Sequence, residues 1–282
     1  MREQWIDHSL EAAIQAASFY SGARKIIRNH SFTIDRIRDD LHMPDIGFTR
    51  SKMTMLTKNY VHEESRAAAV GLWEGRLERG KYGSVGFHCF SHYVKGAGAN
   101  AYRERINTRK GTSKRASVMG PCIQSVSLTL TNKRETHVDC FYRTTELFKK
   151  FPADLVFIRD TLLSPFDFTS APIASISFHF ANVTCHPMYF VTLLPMLDDP
   201  IGELEEIRKK DRYFFNWVVK WTARYICPEY HRGIAKFAQA QRVKQAALEL
   251  IKPATLKKLQ KYLRDNHPGH RGEYEDEGSD ND

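Results

Sequence analysis

Two groups able to do chemistry together stand at the ends of one patterned stretch: the thiol of Cys122, closing "GPC", and the guanidinium of Arg143, opening "RTTELFKKFPADL". Between them "CIQSVSLTLT" alternates Val126, Leu128 and Leu130 with Ser125, Ser127 and Thr129, and "ETHVDCFYRT" alternates Val138, Cys140 and Tyr142 with His137, Asp139 and Phe141. Period-two alternation on both sides of "TNKR" predicts an antiparallel hairpin. A turn centred on Asn132 and Lys133 sets Cys122 opposite Arg143, with Cβ atoms roughly 5 Å apart. A one-residue slip would turn the two side chains to different faces. A fixed cation enlarges the thiolate fraction of a cysteine whose ordinary pKa is about 8.5. A guanidinium also grips phosphate through paired hydrogen bonds, and the Thr144 and Thr145 hydroxyls can add to that grip. Such a constellation can hold a nucleotide phosphate and aim a thiolate at its base. The plainer reading of the same spacing is a buried cysteine beside a surface arginine.

The rest of the chain must position these groups. Its 282 residues are near the upper limit for one hydrophobic core, so one elaborated domain or two small ones both fit. No run approaches the roughly 20 apolar residues of a membrane span. The opening "MREQWIDHSLEAAIQ" lacks the layout of a signal peptide, so a cytoplasmic, membrane-free protein is expected. The five cysteines are scattered and odd in number, which favours neither a disulfide framework nor a metal site. Net charge is +9 although the last ten residues carry six carboxylates, leaving the body at about +15. Such a body attracts polyanions or phosphorylated small molecules, or is simply a well-solvated basic surface.

Helical spacing covers 8–20, stopped by Gly22, and 62–79, stopped by Gly80. The Gly- and Lys/Arg-rich stretch 95–120 reads as a loop suited to phosphates. "SISFHFANV" at 175–183 is a further strand, and 201–265 is mostly helical, with Pro253 starting a last helix. The expected fold is α+β, a mainly antiparallel or mixed sheet with helices on one face and extra C-terminal helices. The expected division is a body at 1–200, a helical extension at 201–265 and an acidic tail at 266–282.

Between Cys122 and Asp154 the pattern resembles the thymidylate synthase and deoxycytidylate hydroxymethylase superfamily. That family has Pro-Cys at a strand start and, about twenty residues on, Arg-Ser-x-Asp-x-Phe-x-x-x-Pro-x-Asn/Asp. Here Arg143-Thr144-Thr145-Glu146-Leu147-Phe148 leads through Pro152 to Asp154 without a gap. "KYGSVGF" at 81–87 and "FANVTCHPMY" at 180–189 are similar to flanking family segments. The resemblance implies a thymidylate synthase-like fold, a homodimer, a pyrimidine nucleoside monophosphate substrate and 5,10-methylenetetrahydrofolate as cofactor. It implies that Cys122 adds to C6 of the pyrimidine, that Arg143 and Thr144 hold the 5′-phosphate, and that Glu146 and Trp73 face the folate. His186 and Tyr189 would contact the sugar, and Lys114 and Arg115 would reach a phosphate across the dimer, with Arg103 and Arg105 as rivals. Arg24 and Arg28 could add phosphate contacts.

Asp154 stands where uracil-acting members carry Asn and cytosine-acting hydroxymethylases carry Asp. Cytosine offers an amino donor and a bare N3, which a protonated carboxyl complements; uracil offers N3–H and O4, which an amide complements. An acid in the first turn of a helix begun by Pro152 is the structural alternative. The resemblance thus implies a C5 hydroxymethyltransferase for dCMP, with a uracil-nucleotide methylase or hydroxymethylase as the nearest alternative. Departures are visible. His186 and Tyr189 are separated by two residues instead of one. The proton-relaying glutamate falls to Glu63 or Glu64, which also read as surface acids. The apolar closing tail of thymidylate synthases is replaced by "GSDND". A catalytically retired member that binds nucleic acid or a partner protein is the reading from another class.

Overall fold

The computed structural model describes residues 4–15, 25–37, 39, 41, 61, 63–89, 122–230 and 250–268. Helix α1 (Gln4–Gln15) precedes strand β1 (Lys25–Ile34), followed by helix α2 (Glu63–Arg79) and strand β2 (Gly83–His88). The hairpin strands are β3 (Ile123–Leu130) and β4 (Thr136–Glu146). A short helix α3 (Phe151–Phe157) continues into a wider helical turn at Ile158–Leu162, and β5 (Ile173–Cys185) completes the sheet. Helices α4 (Pro200–Lys210), α5 (Arg212–Ile226) and α6 (Pro253–Asp265) follow. The predicted loop at 95–120 lies outside the described residues.

The five strands run in the order β1-β5-β4-β3-β2. All neighbours are antiparallel except β4 and β5, which are parallel. A parallel pair needs a crossover, and α3 with the segment behind it supplies one. The fold is therefore α+β on a mixed sheet. Alternation sorts the faces: Val85, Leu128, Val138, Ile176 and Ile34 form one apolar row, with Phe87, Val126, Cys140, Phe178 and Phe32 beside it. Phe151 of α3 packs its ring on Phe178 at 4.9 Å and on Phe32 at 5.5 Å, and Trp5 of α1 meets Phe151 at 6.0 Å. The opposite face carries hydroxyls and imidazoles instead, joined by Thr33–Ser177 at 2.9 Å, His137–Ser175 at 2.7 Å and His179–Asp139 at 2.9 Å. Phe141 stands among them 40% exposed. Buried apolar residues of α4, α5 and α6, among them Leu204, Phe214 and Leu259, join the same continuous core as the sheet.

The hairpin turn is longer than its sequence suggests. Arg134 takes a left-handed conformation (φ 59°), and the ladder pairs Leu130 with Thr136, one residue off the predicted register. A bulge between Ile123 and Ser125 removes the offset. Beyond it Ile123 lies opposite Tyr142, and the Arg143 N–H donates to the Cys122 carbonyl at 2.8 Å. The extra turn residue and the extra bulge residue cancel, so Cys122 and Arg143 are opposite one another at the hairpin mouth.

Candidate functional site

The Arg143 N–H to Cys122 carbonyl bond holds the two backbones side by side at the hairpin mouth, and the Cys122 side chain packs against the core. Both residues are half-buried. From Arg143 strand β4 runs through Thr144 and Thr145 to Glu146, and the chain then turns into α3. Pro152 lies in the first turn of that helix, where its missing N–H leaves no bond unmade. Every residue of α3 is buried, including Asp154 at 7% exposure. Asp154 therefore does not behave as an ordinary first-turn acid facing water. Its Oδ2 accepts a hydrogen bond from the Thr145 hydroxyl at 3.2 Å. Burial pushes its carboxyl up to about 7, against that hydrogen bond and the charge of Lys150. Near neutral pH the group is poised between acid and anion.

Glu146 is similarly placed. One carboxylate oxygen accepts the Lys149 N–H at 2.5 Å and the other the His186 N–H at 2.9 Å. The side chain thus ties the end of β4 to the exit of β5. Burial pushes it up to about 7 despite those two donors and the charge of Lys149. His186 begins the turn Pro187–Thr192, its Nδ1 accepting the Met188 N–H at 3.2 Å. In the neutral ring that leaves the proton on Nε2. The ring lies 5.6 Å from Tyr189 and 6.4 Å from Trp221, centroid to centroid. The Lys149 ammonium sits 4.4 Å above the Tyr189 ring, and burial lowers its pKa. Lys149 was not singled out from sequence; its place three residues after Glu146 in a tight turn was the only signal.

Trp73 is 0% exposed, with its indole N–H donating to the Asp167 carbonyl at 3.0 Å and its ring against Phe166 and Phe168. Glu63 and Glu64 are exposed in the first turn of α2, and Glu63 pairs with Arg66 at 2.7 Å. Lys114, Arg115, Arg103, Arg105 and Arg24 lie outside the described residues. Arg28 is exposed on β1 opposite Asn182, which is itself opposite Thr144.

The two buried carboxyls carry a stability consequence. Asp154 rises from an ordinary 3.8 and Glu146 from 4.5, both to about 7. The folded chain therefore holds these protons more tightly than the unfolded one. Their contribution is fullest below about pH 4 and is lost as pH climbs to about 7. The Asp154→Asn variant lacks one of these titrations. Its stability relative to the original chain is expected to grow by a few kcal/mol between pH 4 and 7.5. Denaturant titrations at several pH values would read this, and parallel curves for the two proteins would contradict it.

No family model matches the chain, and no curated protein matches it. Among solved structures it is similar to the thermostable thymidylate synthase A from Bacillus subtilis. The identity is 10% and the TM-score 0.33, over 61% of this chain and 71% of that one. A likeness that loose says nothing about what this chain binds. Among the described residues no helix is long and apolar enough to cross a membrane, and no cluster of His, Cys, Asp or Glu could hold a metal ion.

Proposed function

We propose that the chain is a one-carbon transferase acting at C5 of a pyrimidine nucleoside monophosphate, dCMP first, through a covalent bond between Cys122 and C6. The observation that supports this most is Asp154: a buried carboxyl raised to about 7, in the first turn of the helix that follows the strand carrying Arg143. In its acid form it donates to cytosine N3 and accepts from the amino group at C4. Arg143 and Thr144 bind the 5′-phosphate, which orients the base toward Cys122. Addition of the Cys122 thiolate to C6 forms the C–S bond and moves the C5–C6 π pair onto C5, which becomes the nucleophile. Once C5 has gained the one-carbon unit and lost its proton, departure of the carrier's amine leaves an exocyclic methylene with sulfur still on C6. Water adds to that methylene to give hydroxymethyl, and the electron pair delivered to C5 re-forms the C5–C6 bond and expels the Cys122 thiolate.

The resemblance points to 5,10-methylenetetrahydrofolate, which when bound supplies the electrophilic carbon. The two residues assigned to it do not fit that role here: Trp73 is fully enclosed, and both Glu146 oxygens are held by backbone N–H groups. The nucleotide half of the site is the better supported half. We also infer a homodimer through the sheet face opposite α3, where Phe141 stands exposed among paired polar groups; a monomeric mass in light scattering would remove that inference. The reading as a whole is tested by incubation with dCMP, dUMP and labelled methylenetetrahydrofolate. Label should enter dCMP. Label in dUMP alone would remove the role given to Asp154.

One observation favours a second, non-catalytic reading. Along α5, Tyr213, Trp217, Lys220, Trp221 and Arg224 form a stripe on which Lys220 sits 4.9 Å over Trp217 and Arg224 5.1 Å over Trp221. The helix holds three cations and no carboxylate. Rings interleaved with cations suit single-stranded nucleic acid. Retention on single-stranded DNA that falls steeply with salt, together with no binding of dCMP or dUMP, would establish this reading over the first. Nucleotide binding without such retention would dismiss it.

A further inference from the structure

We infer that the Tyr142 phenol donates a hydrogen bond to the O2 carbonyl of the bound pyrimidine, a contact that rests on the nucleotide site proposed above. Tyr142 is 3% exposed, and its hydroxyl oxygen is buried with no hydrogen-bond partner among the described residues. Buried hydroxyls are nearly always partnered, so one that is not calls for an explanation. The hydroxyl cannot swing away to find a partner. Its ring is held by Phe180 at 4.9 Å, Phe151 at 6.2 Å and Phe178 at 6.4 Å.

Its place in the fold puts it at the proposed base. Tyr142 lies opposite Ile123, the residue after Cys122, and the Cys122 side chain packs against the same core that holds the Tyr142 ring. Phe151, which abuts its ring, begins the helix that carries Asp154 three residues later. Burial raises the phenol well above its ordinary range, and the charges of Asp154 and Cys122 push it the same way. The group therefore stays neutral and works as a donor, not as an acid or base.

Around a pyrimidine ring, Cys122 takes C6 and Asp154 reads N3 and the substituent at C4. The acceptor left for a donor between those two is the carbonyl at C2. Cytosine and uracil share that carbonyl, so the contact positions the ring without choosing between bases. Tyr142 is in this sense a binding residue that complements Asp154.

Tyr142→Phe removes the hydroxyl alone and keeps the ring packing. Three readouts on the full chain test the inference. Without nucleotide the variant's melting temperature should equal or exceed that of the original, because an unpartnered buried hydroxyl destabilises. By calorimetry its affinity for dCMP and for dUMP should fall by about 3- to 10-fold, equally for both. In turnover KM should rise with kcat nearly unchanged. A lower melting temperature with unchanged nucleotide affinity would overturn the inference and mark the hydroxyl as structural. Loss for one base only would also overturn it. If the original chain binds neither nucleotide, the site reading itself fails; if it binds them and the variant binds as well, only the role of Tyr142 does.

Discussion

Replacing Cys122 with alanine is expected to lower turnover of dCMP by about 10³-fold or more while the chain stays folded. The expectation follows from the poor nucleophilicity of C5 in an intact pyrimidine. Without a bond to C6 no electron pair is delivered to C5, and no other group near the base can take over. The other cysteines cannot substitute. Cys89, Cys140, Cys185 and Cys227 are buried, and burial pushes Cys89 up to about 12 and Cys227 up to about 11. Burial, with the charges of Cys89 and Asp139, also pushes Cys140 well above the ordinary thiol range. Half-buried Cys122 sits at a strand mouth, where loss of one sulfur should change stability by about 1 kcal/mol or less. Nucleotide binding should survive, because Arg143, Thr144 and Asp154 remain. Turnover that persists in the folded variant would exclude the covalent route.

Asp154→Asn should invert base preference. An amide cannot donate to N3 and accept at C4 in the arrangement the acid uses for cytosine, but it complements N3–H and O4 of uracil. A buried mismatch leaves polar groups unpaired on both sides, and discrimination of that type is large. The ratio of kcat/KM for dCMP over dUMP is expected to fall by about 10²-fold or more. The acid also predicts a pH limb. Because burial places Asp154 at about 7, kcat/KM for dCMP should decline above neutrality as the carboxyl ionises, and the variant should lack that decline. Unchanged preference in the variant, with binding intact, would leave Asp154 as a structural acid held by Thr145.

The hairpin was legible because both strands alternate cleanly between a buried and a solvated face. Its mouth was located correctly through two compensating irregularities, neither of which alternation reveals: Arg134 in a left-handed conformation, and the bulge before Ser125. Strand β1 gave little signal, since Phe32 and Ile34 share their side of the strand with Arg28 and His30. The parallel pairing of β4 with β5 was not readable either. Alternation assigns faces, and it does not assign neighbours. At the site, types and spacing suggested Asp154, but the state of its carboxyl depends on the enclosure of all of α3, which a first-turn position does not imply. The resemblance set Trp73 against the folate, yet Phe166 and Phe168 close over it. Tyr142 read as a core ring, and only the surroundings of its hydroxyl give it another meaning.

The central claim is a bond between the Cys122 sulfur and C6 of a pyrimidine. A 5-fluorinated dCMP tests it most directly, because fluorine at C5 cannot leave as a cation and the adduct cannot resolve. After incubation with this analogue and methylenetetrahydrofolate, intact-mass spectrometry should show the chain heavier by one nucleotide and one cofactor, and peptide mapping should place the addition on Cys122. An unchanged mass, or an addition on any other residue, would contradict the account.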